Sequence, residues 1–190
     1  MSNFTDRFQG LHVDRSSGYE KPHKAVLLLA VIDMIEAAGD GAENCFEFSE
    51  ALKDRFAGYF ELVRSGNDQP NAILPFFHMK TEEFWRLKPQ PGYEKAVEVL
   101  KHPGGAQKLG EAVQCAELDP QLFDGLKNPS ERQTLREALV SRWFPERAKQ
   151  VWARIAVERR AGAYGRELTG LAEGLVERVS EESDEEVRDT

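Results

Sequence analysis

The sequence predicts an α+β fold, mostly helical and organised as a single domain with a small antiparallel β-sheet. Three observations carry this reading. The run from Lys24 to Ala38 has the apolar spacing and the Pro and Gly boundaries of a buried helix. Asp119-Pro120 and Asn128-Pro129 each place a capping side chain before a proline suited to a first helical turn. Short aromatic-rich segments, Ile73 to Met79 and Phe84 to Lys88, flank the polar turn Lys80-Thr81-Glu82-Glu83, as the two strands of a hairpin do. At 190 residues with 41% apolar side chains, the chain is long enough for one well-buried core.

In chain order, Met1 to Gly18 is a short lead whose Phe4, Phe8 and Leu11 suit one small helix before a polar turn. Pro22 opens the firmest helix, Gly39 closes it, and Leu27, Leu28, Val31, Ile32 and Ile35 give it a wide buried face. Phe46-Glu47-Phe48 fits a short strand. Ser49 is a candidate N-cap for a helix reaching about Arg64, with Leu52, Phe56, Phe60 and Val63 along one stripe. Pro89, Pro91 and Gly92 end the expected strand pair, and Glu94 to Leu100 fits helix or strand equally. Helices are expected over Gln121 to Leu126, over Ser130 to Trp143 and, after the break at Phe144-Pro145, over Glu146 to Ala161. The domain proper is read as 1–165, and 166–190 as an acidic helical or flexible linker.

Composition narrows the functional classes. The longest apolar stretch, Ala25 to Ile32, falls far short of the roughly 18 residues of a membrane span, so no membrane partner is expected. The opening MSNFTDRFQG has neither the basic nor the apolar region of a secretory leader, which points to the cytoplasm. Cys45 and Cys115 stand apart with no CxxC spacing, and reduced core thiols are expected rather than a bridge. The net charge of −8 weighs against simple phosphate neutralisation, but it is unevenly spread. From Glu177 to Thr190 seven acids face two arginines, leaving −3 for the rest of the chain. No phosphate-cradling glycine loop, nucleotide fingerprint, zinc spacing or local hydrolase context occurs, so no catalytic residue, metal or cofactor is expected.

Two segments stand out. Tyr19-Glu20-Lys21-Pro22-His23-Lys24 leads straight into the apolar helix, whose N-terminus offers free N–H groups and a positive dipole end to a phosphate. The same residues also fit a plain core helix with a solvated polar first turn. The second segment, Asn71-Ala72-Ile73-Leu74-Pro75-Phe76-Phe77-His78-Met79-Lys80, followed by Phe84-Trp85-Arg86-Leu87, sets a proline among apolar residues with His78 and Lys80 beyond it. That pattern suits a small apolar dimple beside hydrogen-bond donors, although such aromatics are normally core.

Together these segments, with LDPQLFDGL and ERQTLREALVSRWFP further on, resemble the sulfur-binding domain of type IV HNH restriction endonucleases over roughly Phe4 to Pro145. The resemblance implies a reader of double-stranded DNA in which sulfur replaces a non-bridging phosphate oxygen. It implies phosphate contacts by His23, Lys24, His78 and Lys80, and a sulfur pocket from Leu74, Pro75 and His78. The family's Tyr-Pro-x-x-Ala pattern keeps only its proline here. Tyr19, Lys21, Asn71, Lys101 and His102 are the candidate base or backbone contacts. The acidic tail resembles the linker that precedes an HNH module, so the chain itself is expected to bind rather than cut, with homodimerisation through a missing C-terminal region left open. Two rival readings stand beside this one: a reader of another DNA modification, and a helical protein-interaction module without DNA binding.

Overall fold

The computed structural model describes the backbone of residues 2–16, 18–66 and 68–188, and side chains within these segments from residue 4 to residue 172. Among the described residues are nine α-helices and one two-stranded sheet, the mostly helical α+β domain expected. No helix among them is long and apolar enough to cross a membrane.

The first helix, α1 (Ser2–Gln9), seats Phe8 fully in the core. The second, α2 (His23–Ala38), is the axis of the fold. Eleven of its residues are buried, from Lys24 through Ile35, because it is apolar almost all round and is covered on every side. Around it lie α3 (Glu50–Val63), α4 (Ile73–His78), α7 (Pro120–Lys127), α8 (Pro129–Trp143) and α9 (Ala148–Arg188). Two shorter helices, α5 (Glu94–Val99) and α6 (Ala106–Ala112), join the strands. The three capping side chains act as read. Ser49 accepts from the Leu52 N–H, Asp119 from Gln121 and Leu122, and Asn128 from Ser130.

The sheet differs from the expected hairpin. Ile73 to His78 is helical, with Pro75 in the first turn, where its missing N–H removes no intrahelical bond. The second expected segment is a strand, β1 (Trp85–Pro89), but its partner is β2 (Val113–Leu118), paired antiparallel from Trp85 opposite Leu118 to Lys88 opposite Cys115. Phe46 makes a single bridge to Ala116, shorter than the strand expected at 46–48. Glu94–Val99 settles as helix. The last helix begins later than expected, after a 3₁₀ turn at Pro145–Arg147, and continues well past Ala161.

The cysteines are a further correction. Cys45 and Cys115 form a disulfide, not two reduced thiols. The Phe46–Ala116 bridge lays the two segments side by side and brings the cysteine Cα atoms to 5.4 Å, within disulfide reach. The cross-link spans 70 residues, so a double Cys45→Ser, Cys115→Ser variant is expected to unfold about 2–4 kcal/mol more easily in urea than the oxidised protein. Equal stability of the two would mean the cross-link contributes nothing to the fold.

Candidate functional site

The first turn of α2 and the short helix α4 meet across a cleft of about 770 Å³. Lys21, His23 and Lys24 line one wall, Leu74, Pro75 and His78 the other, and Asn71 stands at the rim. Seven of the residues singled out in the sequence are thus brought together from two segments some fifty residues apart. The local reason is simple. Pro22 precedes α2 without any side-chain cap, leaving the first-turn N–H groups of that helix free of a side-chain partner. On α4, positions 74, 75 and 78 fall on one side of a helix by spacing. The loop before α4 is pinned by Asn71, whose Oδ1 accepts from the Ile73 N–H at 3.2 Å.

The two walls differ in polarity. Leu74 remains 44% exposed in the cleft, and the buried Pro75 lines the same wall. Opposite them, the His23 ring packs 4.6 Å from the Phe60 ring, and its Nδ1 is buried without a hydrogen-bond partner among the described residues. Burial holds the His23 imidazole below its usual range; Asp68 and the Gln69 backbone oppose this less strongly. His78 is lowered too, first by burial and then by the charges of Lys24, His102 and Lys80.

Lys24 is less available than its sequence position implies. Its side chain is largely buried, with Nζ 2.6 Å from Glu82 Oε1 and 2.8 Å from Thr81 Oγ1. Glu82 is itself buried and also accepts from the His12 N–H at 3.0 Å and meets the His12 ring at 3.1 Å. The lysine is therefore a paired cation at the cleft wall. Acids are present as well: Asp14 and Asp68 line the cleft, and Ser16, with help from Lys21, holds the Asp14 carboxyl down to about 2. The cleft mixes charge signs, consistent with the weakly acidic body of the chain.

Other expected residues lie elsewhere. Lys80 donates to the Leu100 carbonyl at 2.5 Å with its Nζ 4.1 Å from the Phe77 ring centre, so it braces the segment after α5 and does not line the cleft. Tyr19 donates to the Asp68 carboxylate and lines a separate depression with Arg142 and Trp143. Lys101 is exposed on the connection between α5 and α6. Beside it, His102 has its ring 6.5 Å from that of His78, at the edge of the cleft. Sequence reasoning missed His12, Asp14, Asp68, Gln69 and Thr81 as lining residues and Glu82 as the partner of Lys24. Nothing local marks them, because each reaches the site only through the packing of distant segments.

Among the described residues no cluster of His, Cys, Asp and Glu is arranged to hold a metal ion. The cleft combines an apolar wall, two imidazoles whose protonation burial disfavours, one paired lysine, two carboxylates and the open turn of a helix. A family model described as "ScoMcrA-like, DNA sulfur-binding domain" matches residues 1–158. No curated protein matches the chain.

Proposed function

The chain belongs to the ScoMcrA-like DNA sulfur-binding domain family, and on that premise we propose that it reads phosphorothioate linkages in double-stranded DNA as the non-catalytic targeting part of an HNH restriction endonuclease. The observation that carries the proposal is the two-walled cleft, with the exposed Leu74 and the buried Pro75 facing His23, Lys24 and the first turn of α2. The backbone phosphate sits at the helix mouth, and its sulfur turns toward Leu74 and Pro75. Sulfur keeps the charge of the phosphate but accepts hydrogen bonds poorly. An apolar wall strips water from an oxygen there at about 1–3 kcal/mol, and from sulfur at less. Selectivity then comes from penalising the unmodified phosphate. Asn71, Lys21 and His102 at the rim are placed to meet neighbouring bases or phosphates.

Binding of one duplex sequence with and without sulfur at a single linkage, measured by fluorescence anisotropy at fixed salt, tests this directly. The modified duplex is expected to bind at least ten-fold more tightly. Equal binding of both would favour a different modification as the ligand. Leu74→Asn is the cleanest probe of the wall, because the side chain is exposed and its loss leaves the core intact. It is expected to cut the sulfur preference by about ten-fold, on the order of 1–2 kcal/mol, chiefly by tightening the hold on oxygen. An unaltered preference would put the sulfur elsewhere.

The imidazoles make binding pH-dependent. In the free protein burial depresses both His23 and His78, so each is neutral at pH 7. A seated phosphate favours the protonated forms, and binding takes up protons. Affinity is therefore expected to rise as pH falls from about 7.5 toward 5.5, below the ordinary imidazole value near 6.5. Stability without DNA moves the opposite way, falling below about pH 6.5 because the unfolded chain then binds more protons. A His23→Gln, His78→Gln variant should flatten the binding profile. If it keeps the full slope, these rings do not touch the phosphate.

A further inference from the structure

Helix α9 carries two apolar faces, and the protein's own core uses one of them. On the inner face Val151 and Ile155 are buried, and Gly162 lies so close to α2 that a Cβ there would stand 3.1 Å from the Ala37 Cα. Arg159 pairs with Glu36 at 3.1 Å, and Arg166 Nη1 donates to the carbonyls of Glu36 and Ala37, clamping that face to the end of α2. The outer face bears Val157, Tyr164, Leu168 and Leu171, exposed by 48, 64, 49 and 59%. Spaced by seven, four and three residues, these side chains form one seam with Ala161 between them, the repeat of a helix that pairs with another helix. They are four of the seven large apolar residues exposed in the described part of the chain.

The charges along α9 say what fits that seam. Of the five cations in residues 148–166, Arg159 and Arg166 face α2 and Arg154 pairs with Glu158, which leaves Lys149 and the exposed Arg160 without those partners. Glu167 follows Arg160 by seven residues, so the two exposed charges lie on one flank of the seam. A parallel partner in register would set each of them beside its own equivalent, like charge near like. An antiparallel one about Tyr164 sets Glu167 of each copy beside Ala161 and Arg160 of the other. We infer that the chain self-associates through α9, two copies pairing antiparallel about Tyr164. Val157 then meets Leu171 of the second copy, Ala161 meets Leu168, and Tyr164 meets its own equivalent, small side chains facing large ones. The interface leaves the cleft between α2 and α4 open, so one pair presents two DNA-reading sites. This inference rests on α9 alone and does not require the sulfur reading.

Sedimentation equilibrium of the 190-residue chain over a wide micromolar range is the first test, and a monomer–dimer equilibrium is expected. Leu168→Glu should weaken that dimer at least ten-fold while leaving the melting curve of the domain intact, since Leu168 is exposed. Orientation is read by short-span thiol cross-linking. An equimolar mixture of Val157→Cys and Leu171→Cys chains is expected to give the mixed 157–171 product and little 157–157 product. A wild-type chain that stays monomeric throughout overturns the inference and leaves the seam to a different occupant, such as further chain beyond residue 190. A dominant 157–157 product overturns the antiparallel arrangement. Loss of DNA selectivity in a chain that still dimerises would count against the function proposed above and not against this interface.

Discussion

Replacing Arg136 with methionine is expected to cost the fold about 3–5 kcal/mol at neutral pH, a large share of the stability of an ordinary domain. Arg136 lies on α8 and is fully buried, with Nη2 2.5 Å from Asp33 Oδ1 and Nη1 2.7 Å from Glu36 Oε2. Asp33 also accepts a 2.5 Å hydrogen bond from the Tyr59 hydroxyl of α3. One guanidinium therefore joins three helices through a charge that water does not reach. Methionine fills much of the space but leaves the Asp33 carboxylate unpaired in the core. Even with Arg136 in place, burial raises the Asp33 pKa, and without the arginine it should rise further. A raised carboxyl pKa favours the folded state most at low pH, and that advantage is lost as pH climbs through the folded-state value. The penalty of Arg136→Met should accordingly be smaller at pH 5 than at pH 7.5 in urea unfolding, and Asp33→Asn added to it should recover much of the loss. A penalty under 1 kcal/mol at both pH values would show that the network is not holding the helices together.

That network was invisible in the sequence, and the reason is general to this chain. Asp33 and Arg136 are 103 residues apart, and each reads locally as an exposed charge on a helix. What was legible depends on neighbours in sequence. The caps at Ser49, Asp119 and Asn128 act within three residues, and the α2 boundaries at Pro22 and Gly39 are set by backbone chemistry of single residues. Composition misled where a segment was short. Ile73 to His78 is six residues of aromatic and branched side chains, which suit a strand, but a proline at the third position is as compatible with a first helical turn. The partner of β1 was missed because the burial along β2 does not alternate cleanly; Cys115 and Ala116 are both buried, since Phe46 approaches from the side away from β1. The same approach explains the unexpected disulfide.

The site followed the same division. The pairing of the His23-Lys24 turn with Leu74, Pro75 and His78 came from resemblance over separated segments, and the geometry brings those residues into one cleft. Lys80 was grouped with them by adjacency to His78, but the turn from α4 into the 3₁₀ segment Met79–Thr81 carries it to the other side, toward Phe77 and Leu100. Glu82, read as a turn residue, is instead the buried acid that fixes Lys24. This changes what Lys24 can be asked to do.

Lys24→Met is expected to lose about 3–5 kcal/mol of stability, because the buried Glu82 carboxylate then keeps only its contacts to the His12 N–H and ring. Methionine keeps most of the aliphatic stem, so the loss reports charge and not packing. DNA affinity should fall in the same variant, but that fall alone is ambiguous, since a loosened α2 would also disturb His23 and the helix mouth. Adding Glu82→Gln separates the two effects. The amide removes the stranded charge and is expected to restore most of the stability, measured by urea unfolding, while the cleft walls return to place. If Lys24 shares its charge between Glu82 and a bound phosphate, the refolded Lys24→Met, Glu82→Gln protein still binds modified and unmodified duplexes more weakly than the parent. The slope of log affinity against log salt should also be shallower by about one. Such a protein keeps its sulfur preference, because that belongs to Leu74 and Pro75 on the opposite wall. Wild-type affinity with a wild-type salt slope in the stable double variant would make Lys24 a structural counter-ion to Glu82, and would leave His23 and the open turn of α2 to hold the phosphate.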